Sequence, residues 1–244
     1  MTDIRVTAAM LAIGDELLSG RTRDKNIGHL AVMLTAVGIE LLEVRIVPDD
    51  EAEIVAALNA LRARYTYVFT SGGIGPTHDD ITADAISKAF GLPCEHDAKA
   101  MKLLGDSYAA RGVEFNEARQ RMARMPRGAA HSENKVSIAP GFIVENVHVM
   151  AGVPAVFEAM VDAVLPTLQT GQKLLSVSIH CPHGEGKIGT ALAEIQKVHP
   201  DTIIGSYPRM ADAKFWVEIV VRSKDVATME AGRKAVEAMV AALS

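Results

Sequence analysis

Cysteine is scarce in this sequence, with two residues, Cys94 and Cys181, in 244. That excludes a disulfide framework and a four-cysteine zinc site, and a chain of this length buries a core without such staples. Aromatic residues make up only 5%, too few for the stacking platforms that follow single-stranded nucleic acid. Excess positive charge is missing too. Twenty-five lysines and arginines face 30 aspartates and glutamates, a formal charge of −5, so no nucleic-acid partner is expected through a broad basic surface. No run approaches the roughly 20 apolar residues that cross a bilayer. The opening MTDIRVTAAMLAIGDELLSG lacks a basic n-region, apolar stretch and cleavage site in series. No membrane partner is expected, and a cytoplasmic location, where thiols stay reduced, is the default. What remains, at 49% hydrophobic and 23% charged, has the balance of a soluble enzyme or small-molecule binder.

The first half alternates short apolar runs with helical patterns. Thr7–Ile13 reads as a buried strand ending at Gly14. Asn26–Val37 carries Ile27, Leu30, Ala31, Leu34 and Val37 at helical spacing, stopped by Gly38. Leu41–Val47 is a second strand, Glu51–Arg64 a helix, Tyr67–Thr70 a third strand and Asp80–Phe90 the next helix. This order predicts an α/β domain, a mainly parallel sheet with helices on both faces. Ala98–Arg111 and Glu114–Met125 read as an inserted helical pair, Ile143–Met150 as a strand and Ala155–Leu168 as a helix. The polar break Leu168–Lys173 divides a domain over 1–170 from a small accessory domain over 171–244. Beyond it, strand Leu174–His180, helix Lys187–Val198, strands Thr202–Tyr207 and Lys214–Arg222 and helix Val226–Leu243 predict a ferredoxin-like α+β module.

The strongest chemical signal is Ser71-Gly72-Gly73-Ile74-Gly75-Pro76-Thr77-His78-Asp79-Asp80-Ile81-Thr82, between a strand and a helix. Ligands of open parallel sheets bind outside the carboxyl ends of the strands, where this loop belongs. Glycines let backbone N–H groups approach an anion, Thr77 adds a hydroxyl, and the helix N-terminus favours phosphate. The competing reading is a tight turn capped by Asp79 or Asp80. The spacing is neither that of a dinucleotide fingerprint nor that of a P-loop. Two carboxylates beside a phosphate repel it unless a divalent metal such as Mg²⁺ bridges them.

Gly14-Asp15-Glu16-Leu17-Leu18-Ser19-Gly20, with Asp24 and Asn26 behind it, reaches the same sheet edge. Asp15 and Glu16 suit a metal, a sugar or a pterin amine, or belong to an ordinary strand-to-helix turn. Pro48-Asp49-Asp50 ends the second strand and reads equally as turn and cap. His180-Cys181-Pro182-His183 has too few ligands for zinc, Gly184–Lys187 reads as a helix start, and Ile204–Pro208 as a strand end with a turn. The eleven methionines are mostly core filler.

Taken together, GDELLSG with Asp24 and Asn26, SGGIGPTHDDIT, Pro140-Gly141 and Gly152-Val153-Pro154 resemble the molybdopterin-binding domain family, shared by molybdenum-cofactor biosynthesis proteins and the N-terminal part of competence/damage-inducible protein A. The long stretch between Gly91 and Pro140 and the C-terminal module are similar to the competence-protein branch. The amidohydrolase domain of its long members has no counterpart here, and that activity is not expected.

The resemblance implies that Ser71, Gly72, Gly73, Gly75 and Thr77 hold a phosphate, with Glu16 and Asn26 in the ligand-binding set. Asp80 matches the catalytic aspartate, Asp49 the second carboxylate and Asp15 the first aspartate of the opening motif. Asp15 and Asp80 are then the metal ligands. Two enzymatic expectations follow: metal-dependent hydrolysis of a nucleotide-type pyrophosphate such as ADP-ribose, or molybdopterin binding with adenylylation or metal insertion. A non-catalytic nucleotide- or pterin-binding protein stands beside them. The family resemblance also implies a homo-oligomer, a dimer or trimer.

Overall fold

The computed structural model describes residues 5–211 and 214–243. The chain divides into two compact units, the first ending at Gly171 and the second beginning at Gln172. In chain order the first holds β1 (Thr7–Ile13), α1 (Asp15–Leu18), α2 (Asn26–Ala36), β2 (Glu40–Val47), α3 (Glu51–Arg62), β3 (Tyr67–Ser71), α4 (Thr82–Phe90), β4 (Cys94–His96), α5 (Ala98–Ala110), α6 (Glu117–Gln120), β5 (Arg124–Pro126), β6 (Ala130–Ser132), β7 (Gly141–Val144), β8 (Val147–Met150) and α7 (Pro154–Val164).

Its main sheet has six strands in the order β2-β1-β3-β8-β7-β6. The first four run parallel, and β7 and β6 add an antiparallel edge. Successive side chains of a strand point to opposite faces, and β1 shows the result. Ala9, Leu11 and Ile13 join Ile54, Leu58 and Leu61 of α3 and Ile86 of α4 in one core. Ala8 and Met10 join Leu30 and Leu34 of α2 and Phe157 and Met160 of α7 in the other. The predicted parallel sheet with helices on both faces is the observed one. His148 of β8 is buried in the second face's aromatic stack, 5.1 Å from the Phe69 ring and inclined by 20°. Burial holds its imidazole down to about 4, from an ordinary 6.5.

Three sequence expectations in this unit need correction. Ile143–Met150 is not one strand but the hairpin of β7 and β8, turned at Glu145, whose φ is 50°. Asn146 fixes that turn by donating to the carbonyls of Arg62 and Tyr65; the apolar run on both sides hid the break. Glu114–Met125 is not a helix of that length. Asn116 caps the single turn of α6, a 3₁₀ turn over Arg121–Ala123 follows, and Arg124–Pro126 pairs antiparallel with β4. Pro126 cannot continue a helix, while Ala123 and Met125 are buried in the first core. Ala155–Leu168 ends its regular helix at Val164 and closes with a 3₁₀ turn.

The second unit holds β9 (Leu175–Cys181), α8 (Glu185–Val198), β10 (Ile203–Ala211), β11 (Lys214–Ser223) and α9 (Val226–Ala242). Its antiparallel sheet runs β10-β11-β9, so the strands joined through α8 flank a third, the split arrangement of ferredoxin-like modules. Ile179, Ile188, Leu192, Val217, Ile219 and Val236 form its core. Ile204–Pro208 is not a strand end: β10 continues through Pro208, opposite Val217, to Ala211. Proline is tolerated there because β10 is an edge strand.

Candidate functional site

The cleft of interest lies at the carboxyl ends of β1, β3 and β8. Each strand hands over to a short loop there, and the loops converge because the sheet holds the strands in register. Gly72 has φ 109° and Gly73 φ 67°, conformations that favour glycine. A Cβ on Gly72 would lie 2.2 Å from the main-chain oxygen of Ile13, and one on Gly73 2.1 Å from Thr82 Oγ1. Thr82 holds the loop: its hydroxyl donates to the Gly72 carbonyl and its N–H to the Gly73 carbonyl, both at 3.0 Å. The N–H groups of Gly73, Ile74 and Gly75 have no hydrogen-bond partner among the described residues. They border the cleft, in the disposition of an anion cradle.

Asn26 and Ser71 lie behind the cradle, 3% and 4% exposed. Asn26 Nδ2 donates to Ser71 Oγ at 2.7 Å and to the Gly152 carbonyl at 2.8 Å. The start of α2 is thus tied to the ends of β3 and β8. Asp24 caps α2 by accepting from the Ile27 N–H. Gly152 packs on Gly72, whose Cα would lie 3.2 Å from a Cβ at position 152.

Asp80 closes the loop. Its Oδ2 accepts from the Thr77 N–H at 2.8 Å and from the Thr77 hydroxyl at 2.6 Å. Its Oδ1 has no hydrogen-bond partner among the described residues, and Gly75 packs closely enough that a Cβ there would lie 2.7 Å from Oδ2. The helix itself begins at Thr82, so Asp80 serves the loop rather than the cap. In this arrangement the Thr77 hydroxyl, expected to reach a phosphate, is given to Asp80.

The acidic residues fall into two groups. Glu16 and Asp80 border one open cleft of about 520 Å³ together with the glycine loop, Met122 and Val153. Asp49 does not line that cleft, and it accepts from the Asp15 N–H at 3.0 Å. Burial, followed by repulsion from Asp15, Glu16 and Asp79, raises the Asp49 carboxyl above its ordinary range, while the Asp15 N–H opposes that rise. Asp50, its neighbour, caps α3 through the N–H groups of Ala52 and Glu53. Among the described residues no group of three or more His, Cys, Asp or Glu side chains is gathered to hold a metal ion. The donor set nonetheless suits Mg²⁺, which keeps several waters and is held through one or two carboxylates plus substrate phosphates; Glu16 and Asp80 are the carboxylates that share the cleft with the cradle.

Arg121 is a site neighbour that sequence reasoning did not single out. Its Nη2 donates to the Asp80 carbonyl at 3.2 Å. Its stretch reads as an amphipathic helix, and no local signal marks the arginine. His180–His183 gathers no metal set, with Cys181 buried and bonded to the His183 carbonyl. Gly184–Lys187 opens α8, as expected of a helix start.

A family model described as "Probable molybdopterin binding domain" matches residues 9–170, and one described as "FAD synthase, middle domain" matches residues 173–244. A protein of Pyrobaculum arsenaticum is 35% identical over 83% of this chain and 80% of its own length. One of Aeropyrum pernix is 31% identical over 95% of this chain and 90% of its own. Among solved structures, the protein CinA, of unknown function, from Thermoplasma acidophilum superposes with a TM-score of 0.62 at 30% identity, covering 67% of this chain and 98% of that one.

Proposed function

This chain belongs to the molybdopterin-binding domain family over residues 9–170, and from that premise we propose that the cradle of Ser71–Thr77 holds a phosphate of a nucleotide- or pterin-type ligand and that Asp80 supports metal-dependent hydrolysis of a pyrophosphate such as that of ADP-ribose. The observation that carries this reading is the glycine loop itself. Its Gly73, Ile74 and Gly75 N–H groups are unpartnered among the described residues, beside a carboxylate with one unengaged oxygen.

A divalent metal, when bound, polarises the phosphates and lowers the pKa of an attacking water. The residues of this chain orient the rest. The loop N–H groups fix the phosphate, Thr77 fixes the Asp80 rotamer, and Asp80 Oδ1 and Glu16 present hard oxygen donors to the same cleft. Asp49, raised above the ordinary aspartate range mainly by burial, accepts from the Asp15 N–H and so steadies the turn that carries Glu16. Hydrolysis adds the water oxygen to one phosphorus and releases the bridging oxygen with the other phosphate, giving AMP and a ribose phosphate.

A second reading, molybdopterin binding within molybdenum-cofactor biosynthesis, is supported by the family description and by the cleft's apolar walls. Ile74, Met122, Val153 and Val156 offer a surface for a flat ring of either pterin or adenine. Under both readings the chain acts as a homo-oligomer in the cytoplasm. Leu42, Val44 and Ile46, exposed by 49%, 37% and 42% on edge strand β2, support association with another copy. No helix among the described residues is long and apolar enough to cross a membrane.

The test is incubation with ADP-ribose and Mg²⁺, Mn²⁺ or Co²⁺, with AMP as the readout. AMP release that a chelator and Asp80→Ala both abolish supports hydrolysis. If no metal yields AMP, hydrolysis is excluded, and calorimetry with molybdopterin then separates cofactor binding from plain nucleotide binding.

A further inference from the structure

The loop over residues 133–140, between β6 and β7, borders the same cleft and takes no part in the reading above. Ser137 and Ala139 line the cleft of about 520 Å³, and Pro140 lines a narrow gap beside Gly73, Gly75 and Asp80. Ser137 is exposed, whereas Asn134 is only 7% exposed.

Asn134 shapes this loop. Its Oδ1 accepts from the Val136 and Ser137 N–H groups at 3.0 and 3.1 Å. Its Nδ2 donates to Ser137 Oγ at 2.5 Å and to the Ala139 carbonyl at 2.9 Å. Both lone pairs and both protons of the amide are thus spent inside the loop. Between these anchors Ile138 has φ 71°. A β-branched residue in the left-handed region is an outlier. Such strain persists only where surrounding contacts over-determine it, and it clusters at ligand clamps and active sites.

The polarity of the Ser137 contact follows from its partner. An amide nitrogen only donates, so Ser137 Oγ is the acceptor and its own proton is left to give. No described residue takes that proton, and the Ile138 and Ala139 N–H groups have no partner among the described residues. This wall of the cleft therefore offers donors.

We propose that Ser137 contacts the ligand, donating its hydroxyl proton to an oxygen or ring nitrogen of the molecule in the cleft, and that Asn134 is its positioning residue. Asn134 holds the left-handed turn at Ile138 and keeps the Ser137 proton free. The proposal rests on the reading of the cleft as a nucleotide- or pterin-type site and adds to it a contact separate from the glycine cradle. Asn134→Asp reverses the arrangement. A carboxylate keeps the bonds to Val136 and Ser137 N–H, but it takes the Ser137 proton for itself and has none to give the Ala139 carbonyl.

The experiment uses the full chain labelled with ¹⁵N and ADP-ribose as the probe, first with a chelator and then with Mg²⁺. The amide signals of Ile138 and Ala139 are expected to shift together with those of Gly73 and Gly75. In calorimetry, Ser137→Ala is expected to weaken ADP-ribose roughly two- to tenfold, the worth of one hydrogen bond, and Ser137→Thr to keep the affinity. Asn134→Asp is expected to weaken it at least as much, with Ser137→Ala adding nothing in that background. Losses that add would give Asn134 a structural role alone and overturn the positioning. Wild-type affinity in Ser137→Ala overturns the contact. Shifts at Gly73 and Gly75 with Ile138 and Ala139 still would overturn the proposal and leave the cradle standing. Shifts at Ile138 and Ala139 with the glycines still uphold the proposal against the cradle. If neither set moves under either condition, both fall.

Discussion

Asn26 and Ser71, 45 residues apart in sequence, are joined inside the protein by a 2.7 Å hydrogen bond, and the same Asn26 amide reaches the Gly152 carbonyl. One side chain therefore ties the start of α2 to the exits of β3 and β8. Replacing Asn26 with Leu strips the Ser71 hydroxyl and the Gly152 carbonyl of their donor at a buried position, at a cost of about 1–3 kcal/mol. Urea denaturation reads the loss directly. Asn26→Asp should cost more, because a carboxylate would face the Gly152 carbonyl with no proton to offer.

Asp80→Asn keeps the shape of the Thr77 closure but removes the charge. AMP release from ADP-ribose should fall by roughly 10²-fold or more, with the melting temperature little changed. A variant that melts far lower while its surviving fraction keeps full activity would assign Asp80 to structure alone.

Two glycines with positive φ make a controlled pair. Gly91, at φ 66°, has nothing within 4 Å of where a Cβ would stand, whereas Gly72, at φ 109°, would place that atom 2.2 Å from the Ile13 carbonyl oxygen. Gly91→Ala should cost only the left-handed penalty, about 1–2 kcal/mol. Gly72→Ala must also push two strand ends apart and should cost about 3 kcal/mol or more. Equal losses by chemical denaturation would contradict the close approach of β1 and β3.

His148 gives the fold a pH dependence. Its folded pKa is depressed to about 4 from 6.5, so between these values the unfolded chain binds a proton that the folded chain refuses. Stability contributed by the neutral ring is complete above pH 6.5, falls as the pH drops through the window, and is gone below about 4, a total of about 3 kcal/mol. His148→Phe keeps an aromatic ring against Phe69 and should flatten this part of the stability curve. The difference between the two curves isolates the histidine from the carboxylates that titrate nearby.

Much of this was legible in the residues. The continuous apolar run Thr7–Ile13 and the spacing of Leu30 and Leu34 or Ile54, Leu58 and Leu61 place two layers of helix on a parallel sheet, because burial on both faces leaves few other solutions. The glycine loop was visible since only glycine fits its turns. The hairpin at Glu145 was hidden by uninterrupted apolar neighbours, and α6 by a helical spacing that persists after the backbone has left the helix. Arg121 was illegible for a different reason. Its role depends on Asp80, 41 residues away, and no local pattern records that contact.

The sheet's threading also explains why the cleft lies where it does. The helix leaving β1 packs with Leu30 and Leu34 on one face, and the helix leaving β3 packs with Ala85 and Ile86 on the other. Neighbouring strands thus send their chains in opposite directions, and a crevice opens between the departing segments without breaking a single ladder hydrogen bond. The hollow is a by-product of how the backbone is wound, present whichever side chains line it. Selection of a ligand is left to the few residues that reach its rim, so the cleft's chemistry can be rewritten by point substitution while the architecture beneath it stays still.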